Sequence, residues 1–313
     1  MKPIAKTSAL VGALFLAASS TFSGQLQRTD VINDPVWVLH VDADALRQTT
    51  FGQLLLTEME KPEAQKKFAA FQAIFSFDPR KELHGLTLYS ATKAEEDGVL
   101  LVYADVDPAR LTTLAEGAKD HQSGTHGKYT IHNWIDEKKK GKDGGRLRTY
   151  AAIHGKTVIF AQKESRVAHA LDVLDRAKPN LSANPEFAKL GTSPAFIQAA
   201  ARKLESRGDD PAAAVLKQSK MLTLNVGESS RKLQATLAAE TESDEVAKQI
   251  ESIGRGLVGL MALQKEKPEA LKLASGLGIR QEGVSVVATL SLPVEEVIEM
   301  AKSAETRKQA AKQ

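Results

Sequence analysis

Between residues 86 and 115 the spacing of apolar positions changes twice. Leu86 and Leu88, then Val99, Leu101 and Tyr103, alternate with positions that are themselves largely apolar, the pattern of strands covered on both faces. A charged turn separates the two runs. Asp107-Pro108 reads as an N-cap followed by proline at the first helical position, and Leu111, Leu114, Ala115 and Ala118 supply the inner face of a helix. The same block returns at 222–253, with strands near 221–226 and 233–239 and a helix capped by Thr241 or Ser243 from near Asp244.

The rest of the chain extends this repeat. Pro35 opens a strand at 36–41, and Asp42 and Asp44 precede a helix carrying Leu46, Leu54, Leu55 and Met59. Pro62 starts another helix, whose Phe68, Phe71, Ile74 and Phe75 form one stripe expected in the core. A strand at 128–135 and a Lys/Gly loop lead to a hairpin with arms at 148–153 and 157–161, turning at His154-Gly155. A helix at 164–177 follows, with Val167, Leu171 and Leu174 inward. Pro194-Ala195-Phe196-Ile197 then echoes Pro35-Val36-Trp37-Val38, although its alanine run also suits a helix. Asp210-Pro211 echoes Asp78-Pro79. A second hairpin turns at Glu282-Gly283, and Pro293 opens a helix with Val294, Val297, Ile298 and Ala301 on one face.

This order predicts an α+β fold of internally duplicated strand–strand–helix units, with antiparallel sheet or sheets backed by helices. Residues 35–177 make the first half and 194–302 the second. The Pro-, Asn- and Gly-containing stretch 178–193 links them, and the polar tail 303–313 is expected to fray. The duplicated plan, with the run FDPRKELHGLTLY at 77–89, resembles an uncharacterised family of exported proteins from planctomycete- and verrucomicrobia-like bacteria. The resemblance implies secretion and a repeated α+β fold, and supplies no active-site residues.

Residues 1–24 fit a secretory signal peptide: Lys2 and Lys6, an apolar stretch at 9–18, then small residues, with Ser20 and Ser23 as candidate cleavage positions. No later stretch is apolar for the roughly 18 residues a membrane span needs. The mature chain is therefore expected in the periplasm or outside the cell. Losing Lys2 and Lys6 and no acid lowers the net charge from +3 to +1, so the charge is no argument for a nucleic-acid or membrane partner, and a nucleic-acid partner is not expected. Cysteine is absent, which removes disulfides, thiolate metal sites and a Cys nucleophile.

Few motifs carry chemistry. Gly254-Arg255-Gly256-Leu257-Val258-Gly259 spells a dinucleotide fingerprint, but the residues before it read as helix, where a strand is required. Helix packing or a kink accounts for it. Gly155-Lys156-Thr157 lacks the earlier glycine of a phosphate loop, since position 150 is Tyr150. No GxSxG or HExxH occurs. His121, His126 and His132 lie close in sequence, and with Asp120 or Asp136, and His154 nearby, they form the candidate for a divalent metal such as zinc. Asp42-Ala43-Asp44 reads as a helix cap, with a metal pair as the sharper reading. Lys138, Lys139, Lys140, Lys142 and Arg146 form a basic loop able to meet an anionic surface, or a solvated hairpin tip.

With no resident cofactor indicated, a non-catalytic binding or structural role outside the cytoplasm is the expected function. Its partner would be an anionic cell-envelope polymer or another exported protein. A metal-dependent hydrolase built on the histidine cluster is the alternative.

Overall fold

The computed structural model describes residues 24–140, 145–204, 211–264 and 266–310. Strand β1 (Trp37–Asp42) leads into helices α1 (Ala43–Gln48), α2 (Thr50–Met59), α3 (Pro62–Phe75) and α4 (Pro79–Glu82). Strands β2 (Leu83–Ser90) and β3 (Gly98–Ala104) precede α5 (Pro108–Glu116), which Asp107 caps by accepting from Ala109 and Arg110 N–H. Strands β4 (Gln122–His126), β5 (Tyr129–Lys140), β6 (Arg146–His154) and β7 (Thr157–Ala161) follow, then α6 (Glu164–Leu174). The second half comprises β8 (Ile197–Arg202), α7 (Pro211–Lys217), β9 (Ser219–Ser229), β10 (Lys232–Thr241), α8 (Asp244–Ala262), α9 (Pro268–Gly276), β11 (Leu277–Glu282), β12 (Ser285–Pro293) and α10 (Val294–Ala310).

All twelve strands join one antiparallel sheet in the order β11-β12-β10-β9-β8-β1-β2-β3-β7-β6-β5-β4. The two halves therefore share a sheet, and they meet where β1 pairs with β8, Leu39 opposite Ala199. Outward from that seam, β1, β2 and β3 mirror β8, β9 and β10. Helix α5 or α8 intervenes in the chain, and then hairpin β6–β7 mirrors β11–β12. Both hairpins turn on a glycine at φ 58°, Gly155 and Gly283, the first central position of a two-residue loop. The first half inserts β4 and the paired part of β5 beyond this pattern.

Directly paired residues share a face of the sheet. One face, here face B, carries Val38, Tyr89, Val99, Leu101, Ile159, Ala200 and Met221 into the main core. Helix α6 covers part of it with Val167, Ala170, Leu171 and Leu174, all buried. The rest is covered by chain without α-helix. Leu26, Val31 and Ile32 precede β1, and Leu181, Phe187 and Leu190 belong to the connecting stretch 178–193, which is thus packed into the core. Face A carries α5 and, in the second half, α8, whose Ala247 and Ile250 meet Val286 and Ile279. Helix α2 is anchored there because Glu228 of β9 accepts from the Thr50 and Phe51 N–H groups at 3.1 and 2.8 Å. Helix α10 joins α2 and α9 through Lys302–Glu58 and Lys272–Glu299, so it lies with face A and does not repeat the placement of α6. It runs to Ala310, through much of the tail expected to fray.

Candidate functional site

In the first half the core-facing side of the sheet is closed; the opposite side is less so. Pairing places Phe160, Leu100, Leu88, Leu39, Ala199, Leu224, Leu237 and Ala288 in one row across face A. From Phe160 to Ala199 their counterparts one residue along each strand are buried residues of face B, such as Ile159, Leu101, Tyr89, Val38 and Ala200. In the face A row none of these side chains is fully buried, and Leu237 is 42% exposed. The helices on face A thus roof an apolar surface without sealing it.

At the first-half end this surface opens into a cleft of about 280 Å³ between α3, α5 and strands β5–β7. That is near the lower bound of about 300 Å³ for small-ligand sites. Its floor is Trp134, Ala151, Ile153, Val158 and Phe160, and its roof is Ile74, Phe75, Leu111, Leu114, Ala115 and Ala118. Arg110 of α5 donates to the carbonyls of Ala73 and Ile74, satisfying the C-terminal end of α3 and fixing the roof helices together. The phenylalanine stripe expected in the core therefore sits higher than its spacing implied. Phe71 and Phe75 meet in a tilted pair with ring centroids 4.5 Å apart, Phe68 lies under Arg80, and Ile74 is 49% exposed at the cleft. A helical stripe reports which side of a helix is apolar, and here that side faces a cleft.

His132 is the polar group in the wall. Its Nδ1 lies 3.0 Å from Nε2 of His121, with the rings stacked 5.3 Å apart. Burial, and then the neighbouring His121, push the His132 imidazole below its usual value, so it is neutral at pH 7. On the opposite face of the same strands Arg148 bonds Asp120 at 2.6 Å and Asn133 at 2.7 Å.

Of the histidines expected to act together, the structure unites His121 and His132 only. His126 lies on the other face, 2.7 Å from Asp172 of α6, and His154 bonds Asp175, the residue that caps the C-terminus of that helix, at 3.0 Å. Strand alternation separates them: His126 pairs with Tyr129, three residues and therefore one face away from His132. Residues 122–126 (QSGTH) carry no apolar alternation to mark a strand, so the separation does not show in the sequence. Among the described residues no group of three or more His, Cys, Asp or Glu side chains is arranged to hold a metal ion. Asp42 caps α1 through Ala45 N–H at 2.8 Å, whereas Asp44 turns toward His84 and Arg47. In the basic loop, 138–140 continue β5 and Arg146 opens β6, exposed; Lys142 lies outside the described residues. The dinucleotide-like glycines fall inside α8, where a Cβ on Gly254 would stand 2.8 Å from Ile279.

The fold and cleft define an α+β protein with a duplicated antiparallel sheet and an apolar recess beneath its helices. No family model matches the chain, and no curated protein does. Among solved structures it is similar to crystal form III of the treponemal protein TP0453, with TM-score 0.49 and 12% identity over 88% of this chain and 97% of that one. Crystal form I of the same protein gives 0.48 and 13%, over 89% and 98%.

Proposed function

We propose that this chain is an exported, non-catalytic binding protein that takes an apolar molecule or hydrocarbon chain in the cleft between α3, α5 and β5–β7. One observation carries the reading: a recess walled almost wholly by hydrocarbon leads onto a continuous, incompletely covered apolar row. Burying such a surface against a ligand is favourable by about 25 cal/mol per Å² of apolar area. The polar groups that touch the recess suit positioning of a ligand's polar end. A neutral His132, its Nδ1 engaged by His121 at 3.0 Å, keeps Nε2 free to make one hydrogen bond to a ligand. The leader pattern at 1–24 supports a site of action outside the cytoplasm.

Titration with a ten-carbon alcohol, followed by Trp134 emission in a Trp37→Phe background, tests it. The expected result is a saturable blue shift, weakened at least tenfold (about 1.4 kcal/mol) by Ala115→Leu, which fills the roof. Absence of saturation, or an Ala115→Leu protein that titrates like its parent, would sink the reading.

A further inference from the structure

Gly24 is buried at the start of the described chain, on face B, inside an unusually specific set of partners. Its N–H donates to Asp44 Oδ2 at 3.1 Å, and its carbonyl accepts from His40 Nε2 at 2.8 Å. His40 has no exposed surface, and burial pushes its imidazole below the usual value against the opposing pull of that carbonyl. Neutral at pH 7, it carries one N–H, which the carbonyl requires on Nε2; Nδ1 therefore accepts from the Thr87 hydroxyl at 2.8 Å. The seat admits only glycine. A Cβ on Gly24 would lie 2.4 Å from Asp42 Oδ1 and 2.4 Å from the His84 carbonyl, and one on Gly85 would lie 2.9 Å from the Gly24 carbonyl.

The charges around this seat do not balance as a peptide N–H leaves them. Asp42 is buried, 5% exposed, and among the described residues its carboxylate has no cationic partner, only the Ala45 N–H. A buried carboxylate without a counter-charge is costly. Asp44 beside it already meets Arg47 and His84, and His84 also faces Asp105 at 3.0 Å. Immediately upstream, Ser23 and Thr21 are small residues at the last and third-last positions before Gly24, following the apolar stretch at 9–18.

We propose that the leader is removed between Ser23 and Gly24, and that the α-ammonium group of Gly24 is the missing counter-ion of Asp42 and Asp44. Water adds across the Ser23–Gly24 peptide bond. Its hydroxyl goes to the Ser23 carbonyl, which departs with the leader as a carboxylate, and the Gly24 nitrogen gains protons and becomes a cation. Cleavage thereby places a full positive charge where one neutral N–H stood, beside two carboxylates, on a backbone already clamped by His40. Processing and final stability are coupled at one residue.

This inference rests on the export reading, and the test separates the two. The full gene, leader included, is expressed in a bacterium, and the product is recovered from periplasm and cytoplasm for intact mass measurement. A periplasmic mass corresponding to residues 24–313 is expected. An exported chain beginning at Thr21, or anywhere other than Gly24, overturns the processing site alone. A chain retained in the cytoplasm with its leader overturns export as well. A second gene inserts one alanine between Ser23 and Gly24, moving the charge one residue away, and each gene is also made with Asp44→Asn. Asp44→Asn is expected to lower Tm by about 2–4 °C more in the parent than in the extended chain. Equal losses in both would show that Asp44 holds only a peptide N–H, and the α-ammonium seat would be wrong.

Discussion

Asp97, at the foot of β3, gathers the hydroxyl of Thr92 at 2.7 Å, Lys163 at 2.9 Å and Arg166 at 3.0 Å while only 6% exposed. The Arg166 guanidinium, then Thr92 and Lys163, hold its carboxyl well below the usual carboxylate range. A carboxyl depressed in the folded state stabilises above its unfolded value near 4, and that contribution is lost as pH falls toward the folded value. Asp97→Asn should therefore cost about 1–3 kcal/mol at pH 7, with the gap from the parent shrinking below about pH 4. Urea unfolding at pH 7 and pH 3 measures both numbers. Gly256 gives the opposite expectation. It sits within α8 with nothing inside 4 Å of a built Cβ, so Gly256→Ala should stabilise by about 1 kcal/mol. A rise in Tm would confirm that this glycine serves neither packing nor a phosphate; a fall would reopen the question.

At the level of elements, proline, aspartate and glycine positions made most of the fold legible. Asp107-Pro108 and Asp78-Pro79 open helices α5 and α4 as their chemistry dictates, and Gly155 and Gly283 turn matching hairpins. What escaped the sequence was decided by neighbours. The Ile197–Arg202 segment, whose echo of β1 and whose alanine run left strand and helix both open, is the strand on which the second half hangs, held by β1 on one side and β9 on the other. Polar β4 is an edge strand with no buried face to mark it, and missing it hid the splitting of His126 from His132. The cleft was illegible for a related reason: apolar spacing identifies a face, and only packing reveals whether that face is filled. Because β8 is central, Ala200→Pro should remove a ladder N–H on the seam and cost about 3 kcal/mol or more. Loss of the cooperative thermal transition by circular dichroism would record it, whereas a near-parental Tm would mean that the halves do not depend on the seam.

Across the whole molecule, one sheet joins two versions of the same plan, and the two faces of that sheet have different uses. Over the first half face B is closed by α6, the N-terminal stretch and the connecting stretch, with Val31, Leu101, Ile159, Val167 and Leu181 wholly buried. Face A is roofed by helices that leave a row of leucines half-covered and a recess at one end. In the first half the buried core thus lies on one side and the accessible apolar recess on the other, the division the proposed binding role calls for. Nitroxide-labelled ten-carbon alcohol, added to protein carrying labelled alanine methyl groups, reads that division directly by NMR. The methyl signals of Ala115, Ala118 and Ala151 should broaden at low probe ratio while that of Ala170, under α6 on face B, stays sharp. Broadening of Ala170 to the same extent, or none at the cleft alanines, would contradict the account.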